Sequence, residues 1–307
     1  MTRQQFSRRT FVGAASAALA GAGLTGCATA ATTNQTTTQA ATTPKPVILV
    51  TSFGTSYASS RHNTIGAIES DIREAFADYD VRRAFTSQII IDHIQKDTGR
   101  HIDNFEEAMD KLVAEGVREV VVQPTHLMDG YEYQDVKKAL EGYASKFDKC
   151  VLGLPLIKTK DDQVAVARAL REVLASYEDK QTAICLMGHG TEAESNALYR
   201  ELQQVFSDEG MERYFIATVE ATPTFEDVVK AATAANCTKA VLRPLMVVAG
   251  DHANNDMADT SNPESFASLL MAANFEVTSV LEGLGQIEAI DEIYVRHVQD
   301  AIDGKQG

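Results

Sequence analysis

Three short stretches carry the residues that can do chemistry: Gly188-His189-Gly190-Thr191, Thr218-Val219-Glu220, and Gly250-Asp251-His252-Ala253-Asn254-Asn255-Asp256. Two imidazoles and one carboxylate, with no thiolate among them, leave positions open on a divalent metal. That is an arrangement for catalysis or transfer rather than a closed structural site. Co2+, Fe2+, Ni2+ and Zn2+ all suit imidazole, so these ligands do not choose among them. Glu220 ends an apolar run, where an ionised carboxylate is costly unless it is bound to metal or paired, with Arg243 or Arg213 as the competing partners. His126, after Pro124, is a candidate to support the site from nearby. His62, His93, His101 and His297 fall on helix or loop patterns and read as solvated. Cys150, Cys185 and Cys237 show no metal or redox spacing and read as small buried hydrophobes.

Each candidate follows an apolar, β-branched run: Thr182–Met187, Tyr214–Val219 and Ala240–Val248, the last interrupted by Pro244. Such runs suit buried strands of a parallel sheet, and open α/β sheets bind ligands just past the carboxyl ends of their strands. The rest of the chain supplies the helices between them. Helical periodicity predicts segments over 61–78, 104–115, 133–146, 161–177, 194–206, 225–235, 265–274 and 287–303, and strands over 46–50, 81–85, 117–122, 150–154 and 276–280. This alternation is α/β with parallel sheets.

The pattern also repeats. Ile48-Leu49-Val50-Thr51-Ser52-Phe53-Gly54-Thr55 matches Ile184-Cys185-Leu186-Met187-Gly188-His189-Gly190-Thr191, and Gly130 follows Pro124 by six residues as Gly250 follows Pro244. The expectation is two similar domains, 46–157 and 158–283, with the metal ligands in the second, a cleft between them, and a last helix over 284–307 crossing back. In this alignment Phe53 stands for His189, and Glu132 is the counterpart of His252.

Composition narrows the partners. Of 307 residues 44% are apolar, enough for a substantial core, while the net charge of −15 offers nothing to neutralise phosphates and excludes nucleic acid. Neither a Walker loop nor a GxGxxG motif is present, so no ATP or dinucleotide is expected. Residues 1–30 read as a targeting segment. Ser7-Arg8-Arg9-Thr10-Phe11-Val12 resembles a twin-arginine export signal, and Leu24-Thr25-Gly26-Cys27 a lipobox, with cleavage after Ala30 as the rival. Residues 31–45, rich in Thr and Ala, suit a disordered tether. The expected location is therefore periplasmic or extracytoplasmic, with the membrane reached only through a lipid on Cys27. Exposed helices can support a homo-oligomer.

Taken together, Leu49–Ser56, Gly188–Thr191, Thr218-Val219-Glu220-Ala221-Thr222-Pro223 and the long Pro244–Met257 segment resemble the anaerobic, class II cobalt chelatases over residues 46–300. The resemblance implies a ferrochelatase-like fold of two Rossmann-like parallel-sheet domains and ATP-independent insertion of Co2+ into sirohydrochlorin, a tetrapyrrole. It implies metal ligation by His189, Glu220 and His252, with His189 also accepting pyrrole protons. Glu132, facing from the other domain, is assigned to proton relay or metal steering. The alternative is an exported lipoprotein that binds metal, tetrapyrrole or haem without turnover.

Overall fold

The computed structural model describes residues 44–305. The expected export signal, lipobox with Cys27 and tether up to residue 43 lie outside the described residues.

Period-two alternation sorts each central strand between two layers. In β1 (Val47–Ser52), Ile48 and Val50 face one apolar cluster and Val47 and Leu49 another. In β5 (Thr182–Gly188), Ile184 and Leu186 face the first of those clusters, whereas Ala183, Cys185 and Met187 face a third. Both strands are buried on both faces, which is why they read as continuous apolar runs. Two four-stranded parallel sheets result. One orders β2 (Asp80–Phe85), β1, β3 (Glu119–Pro124) and β4 (Lys149–Leu152). The other orders β6 (Tyr214–Thr218), β5, β7 (Lys239–Pro244) and β8 (Glu276–Ser279). This is the α/β architecture that the alternation predicts.

Among the described residues ten α-helices surround them: α1 (Ala58–Asn63), α2 (Ile65–Ala75), α3 (Gln88–Thr98), α4 (Phe105–Ala114), α5 (Tyr131–Glu141), α6 (Lys160–Leu174), α7 (Ala197–Asp208), α8 (Phe225–Ala234), α9 (Phe266–Ala272) and α10 (Glu288–Asp303). The cluster common to both sheets takes Ile68 and Ile72 of α2, Val166 and Leu170 of α6, Leu202 of α7 and Ile290 and Ile293 of α10. α10 thus lies against α2 and α6, and its Tyr294 hydroxyl donates to the carbonyl of Thr125 just past β3 (3.0 Å). Helix starts follow the polar residues before them. Asn104, Thr159 and Thr224 each close a reciprocal capping box on α4, α6 and α8.

Most boundaries move by a few residues from the sequence expectation, and two of the differences have a plain physical cause. The run expected as strand to Val248 leaves the sheet at Pro244, which has no N–H to give the ladder. The helix expected over 61–78 is two helices, because Thr64 at φ −112°, ψ −81° breaks the ladder between them.

The repeat extends to hydrogen bonds. Thr125 N–H donates to Thr51 O (2.9 Å) as Leu245 N–H does to Met187 O (2.7 Å). Leu156 N–H donates to His126 O (2.9 Å) as Leu284 N–H does to Met246 O (2.8 Å). The carboxyl edges of the two sheets meet. Ser60 Oγ accepts from Ala249 N–H (3.0 Å), and a Cβ on Gly250 would stand 3.3 Å from Thr55 Oγ1.

Candidate metal centre

His189 immediately follows β5. Gly188 beneath it accommodates the ring of Tyr199, since a Cβ there would lie 2.4 Å from Tyr199 Cε1. Gly190 after it adopts φ +87°, and a Cβ there would stand 2.8 Å from the amide nitrogen of Ala221. This close approach brings the β6 exit onto the β5 exit. Val219 and Glu220 both donate their N–H to the carbonyl of His189, at 3.1 and 2.9 Å. Glu220 Oε1 then lies 3.7 Å from His189 Nε2.

His252 comes from the β7 exit and precedes a π-helical turn over Ala253–Met257. Ala253 and Met257 are fully buried in the second sheet's outer cluster and pin the turn from inside. His252 and Asp256, one turn apart, point the other way, and Nδ1 of the ring meets Asp256 Oδ2 at 2.7 Å. The His189 and His252 rings stand edge to face, 4.7 Å between centroids and 82° between planes. One ligand atom from each of His189, Glu220 and His252 falls within 4.8 Å of the others. Their side chains are 45%, 57% and 34% exposed, open to a large second reactant.

Orientation follows from the acceptors. Nδ1 of His189 lies 2.8 Å from the Gly190 carbonyl, and Nδ1 of His252 faces the Asp256 carboxylate. Each acceptor can only receive, so each Nδ1 carries the proton and each Nε2 keeps its lone pair for a metal. Neither acceptor follows from the sequence pattern alone; the His252–Asp256 spacing of four is the local signal for one of them.

Glu132 sits in the first turn of α5, exposed, on the first half. It is not among the three clustered ligands, but its charge reaches Tyr199, whose hydroxyl accepts from Gly190 N–H at 3.3 Å. Glu220 is not the partner of Arg243, which lies 3.4 Å from Glu282 on the β8 exit. His126 stands apart from the cluster, both ring nitrogens buried without a partner among the described residues, and burial lowers its pKa to about 4. His297, expected in solvent, is buried, with Nε2 3.1 Å from Asp162 Oδ1. α10 is covered on more than one side, so a polar residue there finds its partner 135 positions away. A second cluster, exposed His101 and Glu107 with half-buried Asp103, is already engaged, with Lys111 2.6 Å from Asp103 and Glu107 in a capping box.

Two imidazoles and a carboxylate grouped at the carboxyl edge of paired parallel α/β sheets form a candidate metal site on a chelatase-like fold. A solved structure of that fold, SirB from Bacillus subtilis with Fe3+, superposes with a TM-score of 0.59 at 12% identity, over 85% of this chain and 97% of its own. The sequence specifies the family. Residues 46–303 match the model of the cobalt chelatase (CbiK) family, and the chain belongs to it. A sirohydrochlorin cobaltochelatase from Salmonella typhimurium is 33% identical over 84% of this chain and 97% of its own length. Sirohydrochlorin cobaltochelatase CbiKC from Nitratidesulfovibrio vulgaris is 28% identical over 84% and 91%.

Proposed function

We propose that this chain takes up Co2+ at His189, Glu220 and His252 and inserts it into sirohydrochlorin without ATP, His189 serving as ligand and then as proton acceptor. The observation that carries this reading is the convergence of three ligand atoms within 4.8 Å, two of them imidazole nitrogens already oriented by acceptors behind them. Family membership and the two cobaltochelatase relatives support the choice of metal and macrocycle. Fe2+, Ni2+ and Zn2+ suit the same ligands.

Insertion demands that two pyrrole N–H protons leave and that ring nitrogens replace the metal's other ligands one by one. Three side chains that can be exchanged for ring nitrogens serve this better than a closed set. As the metal leaves His189 Nε2, that lone pair becomes free for a proton. Glu220, 3.7 Å away, stabilises the resulting imidazolium. Glu132 receives or relays the second proton from the opposite half. Export and anchoring through Cys27 belong to the same reading.

The test is turnover of sirohydrochlorin with Co2+, followed by absorbance. His189→Ala and His252→Ala should each reduce it by about 10²- to 10⁴-fold with unchanged far-ultraviolet circular dichroism. Glu132→Gln should slow turnover without weakening Co2+ binding. Full activity in either histidine variant removes the metal assignment. Binding of both reactants without turnover identifies a carrier instead.

A further inference from the structure

The second half of the site is acidic: Glu220, Asp251 and Asp256 all lie within four residues of a candidate ligand. This suits a cation, yet a tetrapyrrole of the sirohydrochlorin class carries acetate and propionate groups around its rim. In a chain of net charge −15, such a polyanion needs a local cation at the cleft.

The first half provides one. Arg61 in α1 is half-buried, and Nη1 alone is committed, donating to the carbonyls of Thr55 (2.7 Å) and Ser56 (3.2 Å). Among the described residues its Nε and Nη2 have no hydrogen-bond partner, and no carboxylate lies within ion-pairing distance. The segment Phe53-Gly54-Thr55-Ser56-Tyr57-Ala58-Ser59-Ser60-Arg61 holds no acid. Arg83 and Arg100 are close enough to oppose its charge, though burial contributes more to lowering its pKa. Glu69 answers Arg83 with two bonds, at 2.6 and 2.8 Å, and leaves Arg61 alone. The same segment touches the metal side: Thr55 abuts Gly250, Ser60 holds Ala249, and Tyr57 lies beside Asp251. Phe53 and Tyr57, 48% and 36% exposed, give this segment flat apolar surface.

Resting on the cobalt-insertion reading, we propose that Arg61 is the specificity-determining anchor of the macrocycle, its free Nε–Nη2 edge receiving a rim carboxylate side-on. A guanidinium with one nitrogen tied to the backbone is already oriented, so little side-chain entropy is lost when the carboxylate docks. Metal is thus held by one half and the ring's periphery by the other.

The experiment measures binding of metal-free sirohydrochlorin by fluorescence, and of Co2+ by calorimetry, to the full chain and its variants. Arg61→Met should weaken macrocycle binding about tenfold to a hundredfold and raise KM, while Co2+ affinity and kcat at saturation stay within about twofold. Arg61→Lys keeps charge but not the fork and should fall between the two. Macrocycle binding by Arg61→Met equal to wild type overturns the proposal. So does joint loss of Co2+ and macrocycle with a lowered Tm, which marks a purely structural role. If Arg61→Met does not fold, Arg61→Lys decides, and binding equal to wild type overturns the proposal. Wild-type protein that ignores sirohydrochlorin overturns both this and the cobalt-insertion reading.

Discussion

Asp256 does for His252 what the Gly190 carbonyl does for His189: it occupies one ring nitrogen and aims the other. A carboxylate in that place also makes the imidazole a better donor. Asp256→Ala should therefore lower Co2+ affinity about 10- to 100-fold without lowering Tm, since the side chain is half exposed. Calorimetric titration checks this, and an unaltered affinity would mean that the ring is held by something else. The grouping of His189, Glu220 and His252 proposed to hold the metal was legible in the sequence, because His and Glu at the ends of apolar runs have few cheap explanations. Asp256 was not, since the run Asp251 to Asp256 offers four polar side chains. Which of them meets the ring depends on the turn the backbone takes. In the π-helical turn the ring meets the residue four positions on; an extended loop would have offered another. His297 was misread for a related reason, its partner Asp162 being remote in sequence.

Elements were the most legible scale, because strands buried on both faces and helices with capping residues announce themselves locally. The exceptions are local too: Pro244 ends a strand whose apolar run continues beyond it, and Thr64 splits a helix whose apolar period continues. What sequence does not show is how helices meet. Where α10 packs on α2, Asp291 is buried, its Oδ1 without a partner among the described residues, beside Asp71 and Glu288. Burial, reinforced by those two charges, raises its pKa from 3.8 to about 8. The folded state thus holds a proton that the unfolded chain releases near pH 4. Stability from this group is greatest at low pH and is lost as pH rises through that window to about 8, by up to ~1.4 kcal/mol per pH unit. Asp71, its own pKa raised chiefly by burial, adds in the same direction. The buried Asp162, held well below the usual carboxylate range by His297 and Thr159 against the opposing effect of burial, acts only below that window. Thermal unfolding from pH 5 to 8 should show Tm falling in wild type and a much shallower fall in Asp291→Asn. Parallel curves would mean that Asp291 is already ionised in the fold.

At the scale of the molecule, the internal repeat was readable because strand-end motifs recur with their glycines and prolines in place. The sharing of one apolar cluster between both sheets was not, since a periodic strand does not say which helix will cover it. On the proposed anchoring through Cys27, Cys27→Ser should shift the protein from the membrane to the soluble or uncleaved fraction and leave turnover unchanged. Soluble wild type beginning near Ala31 would point to ordinary cleavage. The repeat has one more implication. Two identical halves facing each other would make the front and back of any flat guest indistinguishable. Here a phenyl ring at Phe53 stands where the other half has the imidazole of His189, and a carboxylate at Glu132 where it has His252. On the proposed roles the site therefore has a front and a back: the second half supplies the proposed electron-pair donors, and the first supplies hydrocarbon at Phe53 and the proposed proton acceptor at Glu132. A disc with two unlike faces is sorted on entry, one orientation presenting its preferred face to the donors and the other wasting them.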